Sequence, residues 1–241
     1  MTTNHDALRE RPILFSGPMV RALLDGSKTQ TRRVVKLPRL NPLGTWEPTR
    51  FGGPGGGRLA SGAEIPEHAA IWHTRTGETI ACPYGQPGDR LWVREAFAFT
   101  DAHEPAYEGS IEYRADNKSW AVSQRELHDV PHNCDPRPFD GPWKPSIHMP
   151  RWASRITLEV TAVRVERLQD ISEADAIAEG IERVEDFFGC PCWKCYGEES
   201  DVVAPDDPIG SYRSLWEQLN GPGSWDANPW AWVVEFRRIK P

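Results

Sequence analysis

Lys28, Thr31 and Arg33 set an amine, a hydroxyl and a guanidinium within six positions of one another, directly after Gly26. Such a set can bind an anion, or lets the lysine activate a hydroxyl nucleophile beside it. For Lys28 to accept a proton it must be desolvated or lie near other cations, and Arg32 and Arg33 supply the latter. The segment ahead of it explains how the trio is held. Met19, Ala22 and Leu23 recur at helical spacing, and a Gly just past such a run is a helix stop. The chain is expected to leave that helix in a tight turn, with a strand beginning at Arg33-Val34-Val35. Read from these residues alone, a solvated basic turn after a surface helix is the plainer account.

Two other groups have chemistry in them. In Arg90-Leu-Trp-Val-Arg-Glu95, strand alternation puts Trp92 and Arg94 on one face. A Trp ring stacks on a base, and an Arg pairs with a phosphate or a base edge; the competing account is a core Trp with an exposed Arg. Ser146, His148 and Arg151 lie on a Pro-bounded segment and are candidates to line the same pocket. Cys190-Pro-Cys192-Trp-Lys-Cys195 crowds three thiols into a polar loop, a pattern that suits a structural zinc if a fourth ligand is supplied. Cys134 is the first choice for it and His132 the second, with Cys82 unrelated. No thioredoxin-like βαβ pattern surrounds the cluster, which disfavours a redox role.

The elements that must position these residues are short and interrupted. The strand Ile156-Leu158-Val160 alternates cleanly and then shifts phase so that Val163 and Val165 continue it, as a β-bulge would cause. Ser172-Glu-Ala-Asp175 resembles a helix-opening capping box, and that helix is expected to run to about Glu179 and stop at Gly180. Tyr212, Leu215, Trp216 and Leu219 form an apolar helical stripe ending at Gly221. Three stretches, at about 36–75, 100–145 and 183–210, read as loop insertions; Gly52 to Gly57 lacks the Lys-Ser/Thr ending of a phosphate loop and is read as a linker. With 22 Pro, 20 Gly and 39% hydrophobic residues among 241, much of the length is expected to be loop.

Net charge is −7. Tight, sequence-independent binding to a long phosphate backbone needs many Lys and Arg contacts, so a nucleoside, short oligonucleotide or single modified base suits this charge better than a duplex. No run of about 18 apolar residues is present, which excludes a transmembrane helix. The first ten residues lack a signal peptide's apolar core, and five Cys with three crowded together do not form a secreted disulfide framework. A cytoplasmic protein is expected, with no membrane partner.

Gly26-x-Lys28-x-x-Thr31-x-Arg33 resembles the G-x-K-x-x-[TE]-x-R signature of ASCH domains, small β-barrels related in fold to PUA RNA-binding domains. Two later blocks agree in order and type: Arg155 to Glu166, and the closing Trp230 to Ile239. Arg11 to Ser16, Pro87 to Glu95, Pro145 to Trp152 and Asn228-Pro-Trp230 are similar to the longer ASCH proteins of phages and prophages. The resemblance implies an α+β, mainly β fold: a single domain over 1–241, a small PUA-like barrel with flanking helices and the three insertions. It also implies a site. Some small ASCH proteins hydrolyse N4-acetylcytidine through a Lys and a Thr three apart and a later Glu. By motif these fall on Lys28, Thr31 and Glu179, although Glu179 read alone is a solvated helix-end carboxylate. Arg33, Trp92, Arg94, Ser146 and His148 would hold the substrate. This chain is more than twice as long as those hydrolases, which leaves room for other residues to roof its pocket and for another substrate.

The function expected on these grounds is amide hydrolysis on a modified nucleoside, N4-acylcytidine-like, with no cofactor in the catalysis. Two alternatives stay open: a non-catalytic module that reads a modified or flipped base in RNA or DNA, and a ribonuclease.

Overall fold

Gly26 adopts a φ of 88°, the left-handed region that ends a helix at little cost only for Gly. It closes the first of three α-helices among the residues that the computed structural model describes, which are 9–38, 43–54, 58, 62–65, 67–100, 109–122, 143–185, 189–197 and 207–239. The first elements are β1 (Glu10–Leu14), α1 (Gly17–Asp25), β2 (Gln30–Val34), β3 (Trp46–Phe51), β4 (His68–His73) and β5 (Thr79–Ala81). Then come β6 (Arg90–Arg94), β7 (Phe97–Thr100), β8 (Gly109–Tyr113), β9 (Lys118–Val122) and β10 (Thr157–Arg167). The chain ends with α2 (Glu173–Ala178), β11 (Arg183–Glu185), β12 (Pro191–Trp193), α3 (Pro208–Asn220) and β13 (Trp230–Ile239). Among the described residues strand accounts for 39% and helix for 21%, so the fold is α+β and mainly β.

These elements fall into two compact units. The first holds the described residues up to Asp25, those of Arg90–Leu158, and those from Arg238 onward. In it β1 runs parallel to β6, with Ile13 opposite Val93. A second, antiparallel sheet of β7, β8 and β9 packs Phe97, Phe99, Ile111 and Tyr113 against Met149 and Ala153. The second unit holds Gly26–Asp89 and Glu159–Arg237. There β13 lies between β10 and β2, and Thr31 faces Val234 across the antiparallel β13–β2 pair. A sheet of β3, β4 and β5 and a β11–β12 hairpin complete it.

None of these sheets closes into a barrel, which corrects that part of the expected architecture. The physical reason lies in the stretches read as loops. Residues 36–75 carry Trp46, Ala70 and Ile71, and 100–145 carries Ile111 and Tyr113, all buried. That is enough apolar surface for each stretch to build strands of its own rather than cross an opening. The stretch at 183–210 likewise holds the β11–β12 hairpin.

Local signals behave as their chemistry requires. The Ser172 side chain accepts the Asp175 N–H at 3.1 Å and opens α2. Along β10, Leu158 and Val160 are buried, Thr161 is exposed and Val163 is buried, the phase shift expected from the pattern. Tyr212, Leu215 and Trp216 are buried on α3, but Leu219, near its end, is 50% exposed and leaves the stripe.

Candidate functional site

Strand β2 begins at Gln30 rather than Arg33, so Thr31 and Arg33 are carried on a strand and not on a turn. The strand pleat alternates its side chains. Gln30 and Arg32 share the face turned to α2: Gln30 Nε2 donates to the Asp175 carbonyl at 2.9 Å, and Arg32 Nη2 to Asp175 Oδ2 at 2.9 Å. Thr31 and Arg33 take the opposite face, which their cross-strand partners Val234 and Trp232 share.

Lys28 lies in the irregular segment just before β2 and reaches the end of α2. Its Nζ donates to the Glu179 carbonyl at 2.6 Å and to Glu179 Oε2 at 2.9 Å. The backbone reinforces the approach, with Thr29 N–H donating to the Ala178 carbonyl at 2.9 Å. The structure thus brings Lys28 and Glu179 into contact across 151 positions of sequence. Thr31 stands three residues beyond Lys28, and all three side chains are buried, each residue 2% exposed. Glu179 is therefore no solvated helix-end carboxylate.

The surroundings of this pair are strongly charged. Arg32 Nη2 also donates to Glu166 Oε2 at 3.2 Å, and Arg32 Nη1 lies 3.6 Å from Glu179 Oε1. Arg164 hydrogen-bonds Glu166, Glu235 and Asp175. Burial pushes the Lys28 amine below its ordinary pKa; Glu179 pulls it back, and Arg33 and Arg32 push it further down. Burial raises the Asp175 carboxyl, but the hydrogen bonds and charges of Arg32 and Arg164 outweigh it and hold the group below the usual range. Tyr212 on α3 is pushed well above its ordinary value, by burial first and by Glu179 second. A desolvated amine with a depressed pKa gives up its proton more readily than an exposed lysine does.

Sequence reasoning does not mark Asp175, Glu166, Arg164 or Tyr212 as site residues, and Tyr212 is visible there only in an apolar helical stripe. Asp175 is visible there only as part of a capping box, and its carboxylate instead serves Arg32 and Arg164. Arg164 and Glu166 do sit two apart on a strand, a pairing that only the tertiary fold turns toward β2.

The expected substrate-binding residues Trp92 and Arg94 lie together on β6, the guanidinium carbon 4.6 Å from the ring centroid. Trp92 is 7% exposed, and Arg151 lies over the same ring at 5.9 Å. The ring is a packed side chain, with both guanidinium groups set against it. Ser146 and His148 occupy a single 3-10 turn, Ser146 half-buried and His148 exposed. Arg33 is half-buried on β2.

Cys190 is exposed, while Cys192 and Cys195 are half-buried on and beside the β11–β12 hairpin; none is in a disulfide. Cys192 Sγ meets the Val184 carbonyl at 3.5 Å. Among the described residues no three His, Cys, Asp or Glu side chains gather where they could hold a metal ion. Cys134 and His132 lie outside the described residues. Among the described residues no helix is long and apolar enough to cross a membrane.

No family model matches this chain, and neither does any curated protein or solved structure.

Proposed function

We propose that the protein is an ASCH-type amide hydrolase that removes the acyl group from an N4-acylcytidine-like nucleoside, using Lys28, Thr31 and Glu179. The observation that carries this reading is the buried Lys28–Glu179 contact, in which a lysine with a lowered pKa meets the carboxylate that the motif pairs with it. Thr31 stands on the strand face opposite Gln30 and Arg32, so the reaction requires its Oγ to come within reach of Lys28 Nζ; Lys28 in its neutral form then takes that proton as the oxygen attacks the acyl carbon. The N4 amine leaves with a proton from the acid of the site, Glu179 or the protonated Lys28. Water then hydrolyses the acyl–threonine ester, releasing carboxylate and restoring the hydroxyl. If Thr31 instead orients water for direct attack, the proton follows the same route. An amine, a hydroxyl and a carboxylate supply base, nucleophile and acid, so the chemistry calls for no cofactor.

One observation favours a second reading, a non-catalytic module that recognises a modified base in RNA or DNA. Lys28, Thr31 and Glu179 are each 2% exposed, the burial of a structural lock between β2 and α2. The deciding experiment incubates purified protein with a panel of N4-acylated cytidines and deoxycytidines and follows free nucleoside and carboxylate by chromatography. The hydrolase releases both in equal amounts. Binding without release, across acyl groups and pH values, decides for the module.

A further inference from the structure

Glu179 divides its carboxylate between two cations. Oε2 accepts from Lys28 Nζ at 2.9 Å, while Oε1 lies 3.6 Å from Arg32 Nη1 and accepts no hydrogen bond from the described residues. Arg32 is not placed there by Glu179 alone. Its Nη2 is tied to Asp175 at 2.9 Å and to Glu166 at 3.2 Å, and its side chain is wholly buried. A guanidinium is a rigid planar fork, so fixing one nitrogen on two carboxylates fixes the direction of the others. The free edge is thereby aimed at Glu179.

We propose that Arg32 is a positioning residue for the Lys28–Glu179 pair: braced by Asp175 and Glu166, it holds one oxygen of Glu179 and leaves only the other for Lys28. This rests on the reading of Lys28 and Glu179 as proton-transfer groups. A lysine given the whole carboxylate would be held as a cation. A lysine given one oxygen, with a guanidinium behind that carboxylate, surrenders its proton more easily. The charged and titratable groups about the pair are Arg32 and Arg33 from β2, Asp175 from α2, Arg164 and Glu166 from β10, Glu235 from β13 and Tyr212 from α3. Arg32 Nη1 lies within 4 Å of the second Glu179 oxygen, at 3.6 Å. Arg32 also falls outside the Gly26-x-Lys28-x-x-Thr31-x-Arg33 pattern, so the motif by itself does not point to it.

The test follows the Lys28 side chain directly, by carbon-13 NMR of lysine-labelled protein titrated with pH, in wild type, Arg32→Gln and Arg32→Lys. With Arg32→Gln the Lys28 midpoint moves to higher pH, and the limb of the kcat/KM profile that needs neutral Lys28 moves with it. Arg32→Lys, which keeps the charge, returns both toward wild type. A merely structural Arg32 would lower turnover equally at all pH values and leave the midpoint in place; a folded Arg32→Gln protein with an unmoved midpoint overturns the proposal. If Arg32→Gln does not fold, the wild-type Arg32 guanidinium protons are followed by nitrogen-15 NMR. They must shift with the same midpoint as Lys28, and no shift overturns the proposal. Should wild type release no cytidine, the hydrolase reading fails, while the Lys28 titration still decides for or against Arg32.

Discussion

The two compact units each bury a cluster of charges, and they satisfy those charges differently. In the first unit one cation serves two anions. Arg155 donates Nε and Nη2 to the two oxygens of Glu95 at 2.8 and 2.9 Å, and Nη1 and Nη2 to those of Asp116, both at 2.9 Å. The guanidinium also lies over the Tyr113 ring, 4.0 Å from its centroid. Every oxygen of both carboxylates is used. In the second unit Lys28 and Arg32 share the one carboxylate of Glu179, and Glu179 Oε1, Arg32 Nε and Arg32 Nη1 make no hydrogen bond among the described residues. A closed cluster has spent its polar atoms on holding the fold. An open one keeps buried polar atoms in a dry, cation-rich place, where they interact more strongly than in water.

That contrast is broken most directly at Lys28. On the hydrolase reading, Lys28→Ala removes the general base and turnover of an N4-acylcytidine falls by about 10²–10⁴-fold. Thr31→Ala is nearly as damaging, and the double variant little worse than either, because residues acting as one unit are not additive. Steady-state rates on the three variants, with circular dichroism to confirm folding, check this. Loss that adds in free energy across the two changes would remove the shared mechanism.

The closed cluster should answer in stability and not in chemistry. Arg155→Ala strands Glu95, only 2% exposed, without its partner. Breaking a buried pair in this way costs about 3–5 kcal/mol, read as the shift in urea midpoint. Glu95→Gln, which removes the charge with the partner, costs less. Neither change should alter kcat in the protein that remains folded.

The open cluster was easier to read from the sequence than the closed one, for a physical reason. Lys28 and Thr31 follow a helix stop, and Glu179 precedes another, Gly180, whose φ is 81°. Punctuation of this kind is local and shows where these residues stand, while the pairing of Glu179 with Lys28 comes only from the resemblance to ASCH domains, since each read alone is a solvated group. Arg155, Glu95 and Asp116 meet only because β6, the β8–β9 turn and the start of β10 converge, and no spacing announces that. The same limit explains the strands found within 36–75 and 100–145: their Pro and Gly content marks turns, while the burial of Trp46 or Ile111 is decided by the sheets they join. It also explains Trp92, whose place on a strand face is legible in the alternation but whose covering by Arg94 and Arg151 is not.

The two clusters should also titrate in opposite senses. Lys28 has a lower pKa folded than unfolded, where a lysine sits near ~10.4. Between the two values the unfolded chain binds more protons, so stability rises with pH up to that point. Burial lifts Glu95 above its ordinary value against the pull of Arg155. Here the folded chain binds more protons, so stability falls as pH rises through the ordinary glutamate range, near ~4.3, toward the raised value. Urea denaturation of wild type against Lys28→Met from pH 7 to 10, and against Glu95→Gln from pH 4 to 7, reads each slope separately. Equal slopes for wild type and Lys28→Met would mean that Lys28 stays charged throughout.

The smallest effect is expected at Ser172, and it asks how finely the open cluster depends on its helix. Helix α2 spans six residues, too short to stand without help. Ser172 supplies part of that help by accepting the Asp175 N–H, and Asp175 in turn holds Arg32. At its other end, Glu179 presents both its carbonyl and its carboxylate to Lys28. Ser172→Ala removes the cap at a cost of about 1 kcal/mol, a modest shift in urea midpoint. If α2 positions the pair as a unit, turnover falls while the Lys28→Ala background, which has lost the pair already, loses only the stability. If turnover in the folded Ser172→Ala protein equals wild type, the long-range contacts of Arg32 and Lys28 hold Glu179 without the cap, and the first turn of α2 serves folding alone.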